Sequence, residues 1–213
     1  CLKGTRKLNS DKTFADLGVS QPLIDALSSR GISAPFPTQQ ETLPDTLAGR
    51  DVLGRGKTGS GKTLAFTLAM TARFRHRKVH RRRPLGIVLV PTRELAVQVG
   101  SDLAIAAKTR NARVATIYGG RPYESQIAEL EKGVEVVVGT PGRLIDLNRQ
   151  HFLDLSHVRM VVLDEADEML DLGFLPDVEK LLATVPQVRQ TMLFSATMPG
   201  PVVAMARRYM SKP

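Results

Sequence analysis

The chain has 213 residues, 30 Lys and Arg against 21 Asp and Glu, a formal charge of +9 and 42% apolar residues. That size and composition suit one large or two small globular domains with a sizeable core, and the positive balance favours an anionic partner such as nucleic acid. The single cysteine, Cys1, excludes an internal disulfide. It fits a reducing compartment, so a cytoplasmic location is expected. No apolar stretch is long enough to span a bilayer, the start has no signal-peptide pattern, and a membrane partner is not expected. The first residue is not Met, so the sequence reads as a fragment.

In chain order, residues 1–12 read as a tail and 13–213 as one domain. Residues 22–30 form a helix in a leading segment. Strand-like runs follow at 51–53, 86–90, 113–118, 134–138, 159–163 and 191–194, alternating with helix-like stretches at 62–74, 94–108, 123–131, 142–149, 177–184 and 202–210. Several strands are apolar almost throughout, as expected where both faces of a parallel sheet are covered. The pattern predicts a doubly wound, mainly parallel α/β domain with helices on both faces. Ligands gather at the carboxyl ends of such strands, and a polar, punctuated segment follows every one of the six.

The most informative of these is Gly56-Lys57-Thr58-Gly59-Ser60-Gly61-Lys62-Thr63. It satisfies G-x-x-x-x-G-K-[ST] between a strand and a helix, the context a phosphate loop needs. The glycines let successive N–H groups turn inward around phosphates, and the helix adds its positive end. Lys62 can reach the β- and γ-phosphates, and the Thr63 hydroxyl can take a place on Mg²⁺. Gly54, Gly56 and Gly59 also spell the dinucleotide pattern G-x-G-x-x-G. That pattern wants an acid about twenty residues later; no Asp or Glu lies between Gly59 and Glu94, and Lys62-Thr63 would go unexplained.

Met160-Val161-Val162-Leu163 runs into Asp164-Glu165, a buried strand carrying carboxylates to its tip. Beside a phosphate loop, Asp164 is placed to hold Mg²⁺, through water, since this ion keeps several waters. Glu165 can orient and deprotonate the attacking water.

Asp164-Glu165-Ala166-Asp167 spells D-E-A-D, and from about Phe14 to its end the chain resembles the first RecA-like domain of a DEAD-box RNA helicase. The resemblance implies a RecA-like P-loop fold, use of ATP and Mg²⁺, and RNA as partner. Residues 31–39 resemble the family's adenine-sensing Q motif. Gln39, with a donor and an acceptor, then meets the N6 and N7 edge of adenine, and Phe14 packs on the base. Pro91-Thr92-Arg93-Glu94-Leu95-Ala96, Gly119-Gly120 and Thr140-Pro141-Gly142-Arg143 resemble the RNA-backbone motifs. Their hydroxyls, helix-start N–H groups and arginines suit phosphate oxygens and cannot read bases. A structural ion pair is the competing role for Arg93 and Arg143. Ser195-Ala196-Thr197 resembles the motif that couples the ATP site to strand separation, with Asp167 as hydrogen-bond partner. Two departures stand out: Gly56-Lys57 where the family has Ala and an uncharged residue, and Thr38 where an apolar residue is common.

Family helicases carry a second RecA-like domain with arginine fingers, and its motifs are missing here. Such an arginine is worth about 10³–10⁵ in rate in related phosphoryl transfers, so the fragment, expected to be monomeric, should bind nucleotide, hydrolyse it slowly and not unwind RNA alone. The intact protein is expected to couple ATP hydrolysis to local unwinding or RNA–protein remodelling. An ATP-gated RNA clamp is the alternative, and a metabolic kinase would need a substrate pocket and lid in place of RNA-type loops. Residues 73–83 hold seven cations and no acid; without them the charge would fall from +9 to +2. Leading from a helix into a strand, this segment belongs on the edge opposite the phosphate site. It reads as a solvated loop or an auxiliary RNA contact. His76, His80, His151 and His157 form no credible metal set.

Overall fold

The computed structural model describes residues 12–57, 59–74 and 80–213. The tail up to residue 11, Thr58 of the phosphate loop, and Arg75, His76, Arg77 and Lys78 of the basic segment lie outside them. Among the described residues no helix is long and apolar enough to cross a membrane.

Two helices lead, α1 (Gln21–Ser28) and α2 (Pro37–Ala48). Alternation follows: β1 (Val52–Arg55), α3 (Lys62–Arg73), β2 (Gly86–Leu89), α4 (Arg93–Lys108), β3 (Val114–Ile117), α5 (Tyr123–Glu131), β4 (Val136–Gly139) and α6 (Pro141–Arg149). The chain closes with β5 (Met160–Leu163), α7 (Ala166–Asp171), α8 (Leu175–Thr184), β6 (Gln190–Ser195) and α9 (Gly200–Tyr209). The strands form one sheet in the order β1-β6-β5-β2-β4-β3, every pair parallel. This is the doubly wound α/β domain the pattern predicts.

Alternation along the strands builds a core on each face. Ile87, Leu89, Val161, Leu163 and Leu193 pack with Leu130, Leu144, Leu181 and Val202, under α5, α6, α8 and α9. Val88, Val162, Met192 and Phe194 pack on the other face with Ala69, Met70, Val99 and Leu103 of α3 and α4. A third cluster joins α1 and α2 to the domain through Phe14, Leu23, Leu27, Leu43 and Leu68.

Every predicted helix and strand is present within two residues at each end, and two helices are additional. In α2 the prolines at 37 and 44 and buried polar Gln39, Thr42 and Thr46 obscure the helical period. Pro37 sits in the first turn, where the missing N–H costs nothing. Packing on α3 and β1 holds the rest despite Pro44. The other addition, α7, is six residues long and begins inside the acidic motif.

Candidate active site

The strand order places β6 between β1 and β5. Three carboxyl-end loops therefore sit side by side: the phosphate loop, the acidic tip and Ser195-Ala196-Thr197. The Gly56 N–H donates to the Ser195 carbonyl (3.0 Å), and the Asp164 N–H to the Leu89 carbonyl (3.0 Å).

A cleft of about 280 Å³ opens here, lined by Gly59, Gly61, Lys62, Thr63, Asp164 and Glu165 on one side and by Arg30, Ile32, Phe36, Gln39 and Gln98 on another. Lys62 opens α3 and is 5% exposed. Its Nζ and the Ser60 Oγ are buried without a hydrogen-bond partner among the described residues. Gly61, at φ 85°, supplies the left-handed turn from which the helix starts. A Cβ at Gly56 would come within 2.7 Å of Ser60 Oγ, a side-chain atom that would have to turn aside. Lys57 is exposed on the same loop.

Asp164 is 2% exposed. Burial pushes its carboxyl up, to about 7, against the attraction of Lys62; the charge of Glu165 adds to the rise. The Glu165 N–H donates to Asp164 Oδ1 at 3.0 Å. Glu165 itself stands at φ 55°, ψ 53°, a left-handed conformation costly for a residue with a Cβ. A hydrogen bond with Glu165, then burial, raise the Glu168 carboxyl. A buried ammonium whose charge acts on a buried carboxyl suits a polyphosphate with a divalent cation. Lys62 and the loop N–H groups can hold the phosphates, Thr63 and Asp164 the cation.

Asp167 lies on the coupling side. Thr197 donates to its Oδ2 through both N–H and Oγ1, each at 2.8 Å, while the Asp167 N–H donates to Ser195 Oγ at 3.0 Å. Burial opposes the charge of Asp167, but the hydrogen bonds from Thr197 and Ser195 outweigh it and hold the carboxyl at about 2. The acidic motif and Ser195-Ala196-Thr197 are thus one bonded unit.

In the Q-motif segment, Gln39 is 1% exposed. Its Oε1 accepts from the Phe36 N–H at 2.9 Å and its Nε2 donates to the Gly61 carbonyl at 3.1 Å. The side chain thus ties this segment to the phosphate loop and leaves one N–H and one lone pair for another partner. Phe14, 2% exposed, belongs to the third core cluster and has almost no ring surface to offer a base. The aromatic on the cleft rim is Phe36, 56% exposed, which sequence reasoning passed over.

The remaining motif loops flank this site along the same edge. Thr92 caps α4, its Oγ1 accepting from the Leu95 N–H at 3.3 Å; Pro91 is buried and Arg93 exposed. Arg93 lies over the Gly119-Gly120 turn, where a Cβ on Gly120 would come within 2.5 Å of its guanidinium. The Thr140 N–H donates to the Ile117 carbonyl at 3.1 Å, joining the third and fourth loops. Pro141 and Gly142 begin α6. Arg143 donates to the Arg121 carbonyl at 2.9 Å and stacks on Tyr123 at 3.9 Å, and no carboxylate lies within ion-pair range of Arg93 or Arg143 among the described residues. Buried Gln126, which the motifs do not include, organises this corner. Its amide bonds both the N–H and the carbonyl of Tyr118 and the carbonyl of Arg121.

The family model of the DEAD/DEAH box helicases matches residues 36–206. The chain belongs to this family. It is 45% identical over 201 residues to the DEAD-box ATP-dependent RNA helicase CshA of Bacillus cereus, covering 94% of this chain and 38% of that protein. To the ATP-dependent RNA helicase DeaD of Escherichia coli it is 47% identical, covering 95% of this chain and 32% of the relative. The crystal structure of a DEAD box protein from Methanococcus jannaschii superposes with a TM-score of 0.88 at 35% identity, over 94% of this chain and 54% of that one. The chain therefore spans about a third of the length of these curated relatives.

Proposed function

We propose that this chain is the ATP-binding domain of an ATP-dependent RNA helicase, working in the cytoplasm on RNA backbone without sequence preference. The observation that carries this is the buried Lys62 Nζ, without a hydrogen-bond partner among the described residues, on a cleft that also contains Thr63, Asp164 and Glu165. Lys62 neutralises the β- and γ-phosphates, and the N–H groups of the loop from Gly56 to Thr63 fix their position. Thr63, and Asp164 through water, would hold Mg²⁺, which when bound would draw charge from the phosphates. Glu165 takes the proton from the water that attacks the γ-phosphorus as the bond to the β-bridging oxygen breaks. Gln39 positions the loop through Gly61 and reads the adenine edge with its remaining donor and acceptor. Phe36 is the aromatic surface available to the base.

Pro91, Thr92, Arg93, Gly119, Gly120, Thr140, Pro141, Gly142 and Arg143 grip RNA phosphates. Asp167, Ser195 and Thr197 transmit the state of the nucleotide to that grip. The relatives exceed twice this chain's length, which supports a second RecA-like domain as partner in the intact protein. Unwinding or RNA–protein remodelling would then need both halves, and the isolated chain would turn over slowly.

The test is a titration of a fluorescent adenine nucleotide with Mg²⁺, against a guanine nucleotide and against Gln39→Ala. Adenine-selective binding that is weakened about tenfold or more by Gln39→Ala is expected, equivalent to about 1.4 kcal/mol. Equal binding of both nucleotides, unchanged by the substitution, removes the role given to Gln39.

A further inference from the structure

On the edge opposite the nucleotide cleft, where the strands begin, lies a second cavity of about 420 Å³. Two chain segments form it. One is the turn that precedes β2, from His80 to Arg83; the other follows α6 and includes Asn148, His151 and Asp154. The turn is tight: the Arg83 N–H donates back to the His80 carbonyl, and the two residues pair as an isolated bridge. Its central residues are Arg81 and Arg82. Arg82 stands at φ 60°, and His151 on the facing segment at φ 61°, where glycine or asparagine would be unstrained. The two strained residues meet, since Arg82 Nη1 donates to the His151 carbonyl at 3.1 Å.

The guanidinium of Arg82 is held on three sides, by Glu131, by the His151 carbonyl and by the Phe152 ring at 5.3 Å. Arg83 is held by Asp154 at 2.8 Å. Each keeps donors that these partners do not occupy, because a guanidinium has five. Arg81 is exposed at the tip and has no ion pair or hydrogen bond among the described residues. Three arginines thus face two carboxylates, with two imidazoles and the Asn148 amide alongside. In sequence the segment continues the run that supplies seven of the chain's cations. Fixed donors with a net positive charge suit phosphate oxygens. The nearby Phe152 ring is covered by Arg82, and the His80 ring packs against that of His157 at 5.8 Å.

We propose that this cavity is a second backbone-binding site, which holds RNA flanking the stretch gripped at the motif edge. The proposal rests on RNA being the partner of the first site. Two backbone-binding sites on opposite edges act as linked modules, so occupation of one raises the effective concentration at the other. The cavity adds affinity and salt sensitivity without sequence preference.

The experiment uses the 213-residue chain, with Arg81→Glu as the perturbation, because Arg81 has no described partner to lose. Binding of a labelled oligouridylate, long enough to reach both edges, is followed by anisotropy over a range of salt. The same measurement is made on Arg93→Gln/Arg143→Gln and on the combination. Arg81→Glu should weaken binding several-fold and reduce the salt slope by about 0.7 for each phosphate that is no longer neutralised, with adenine-nucleotide affinity unchanged; Arg81→Gln should fall between it and the parent. The weakening should persist in the combined variant. An unchanged slope in Arg81→Glu, with binding abolished in Arg93→Gln/Arg143→Gln, overturns the second site and leaves the first standing. Weakening by Arg81→Glu alone supports the cavity and removes the motif edge as the main grip. No RNA binding by the parent chain overturns both. Polyglutamate that binds the parent and is released by Arg81→Glu, while RNA binding is unchanged, assigns the cavity to an acidic protein and overturns the proposal.

Discussion

Lys62 and Asp164 are both nearly fully buried, and no salt bridge within 4.0 Å joins them among the described residues. Folding therefore desolvates an ammonium whose Nζ has no hydrogen-bond partner and a carboxylate whose charge burial opposes. Replacing a buried charge pair by groups of similar volume is often stabilising by about 1–4 kcal/mol, whereas removing one partner costs about 3–5 kcal/mol because the other charge is stranded. Lys62→Met/Asp164→Asn should accordingly raise the stability of the nucleotide-free chain by about 1–4 kcal/mol. At roughly 2–4 °C per kcal/mol for a domain of this size, Tm rises by about 2–16 °C. Lys62→Met alone should lower it at pH 8, because Lys62 is the charge that holds the Asp164 carboxyl down to about 7 and its loss pushes that carboxyl further up. Thermal unfolding with and without nucleotide and Mg²⁺ is the assay. Ligand at a hundredfold excess over Kd adds about 2.7 kcal/mol to the parent and should add nothing to the double variant. A double variant less stable than the parent would refute the reasoning, since the two charges would then be stabilising the fold and not waiting for phosphate and metal.

Two further outcomes follow from the packing. A Cβ on Gly139 would lie 2.2 Å from the Ile117 carbonyl oxygen, which is backbone in the paired strand. Gly139→Ala should therefore destabilise by about 1–3 kcal/mol, as overpacking does, and a urea midpoint equal to the parent's would refute this. Thr197→Val removes one of the two Thr197 donors to Asp167, so the Asp167 carboxyl should titrate above its parent value of about 2 in an NMR titration. A depressed carboxyl stabilises the fold above the unfolded value near 3.8, and that contribution fades as pH falls towards 2. The parent should thus lose more stability than the variant across that window, and equal losses would count against the link.

Much of the fold was legible because several strands, β2, β4 and β5 above all, are runs of apolar residues bounded by punctuation, as a doubly covered parallel sheet requires. Strand order was not legible. That β6 inserts between β1 and β5 depends on long-range pairings such as Val52 with Met192 and Met160 with Gln190, and no local pattern encodes them. Nor was α2, whose periodicity is interrupted by Pro44 and by buried Gln39, Thr42 and Thr46. Thr42 and Thr46 turn their hydroxyls back to carbonyls of the same helix, whereas Gln39 is carried inward to hold the Gly61 carbonyl of the phosphate loop.

The candidate site divides along the same physical line. Residues that act through backbone shape or charge at a strand tip, such as Gly61, Lys62, Asp164 and Glu165, announce themselves by type and spacing. Residues that act by packing do not. The family resemblance assigns Phe14 to the base, where the sequence alone favours a core residue, and the ring packs in one cluster with Leu23, Leu27 and Leu43. Phe36, three residues before Gln39, is the aromatic left on the rim. Spacing along a chain cannot tell a ring facing a ligand from a ring facing the core, because both faces of a short helical segment lie within a turn of each other. Gln39 makes the same point from the other direction. Its two bonds, to the Phe36 N–H and the Gly61 carbonyl, join the rim to the loop that would hold the phosphates. A base drawn to Phe36 and a phosphate drawn to Lys62 would therefore bear on opposite ends of one side chain.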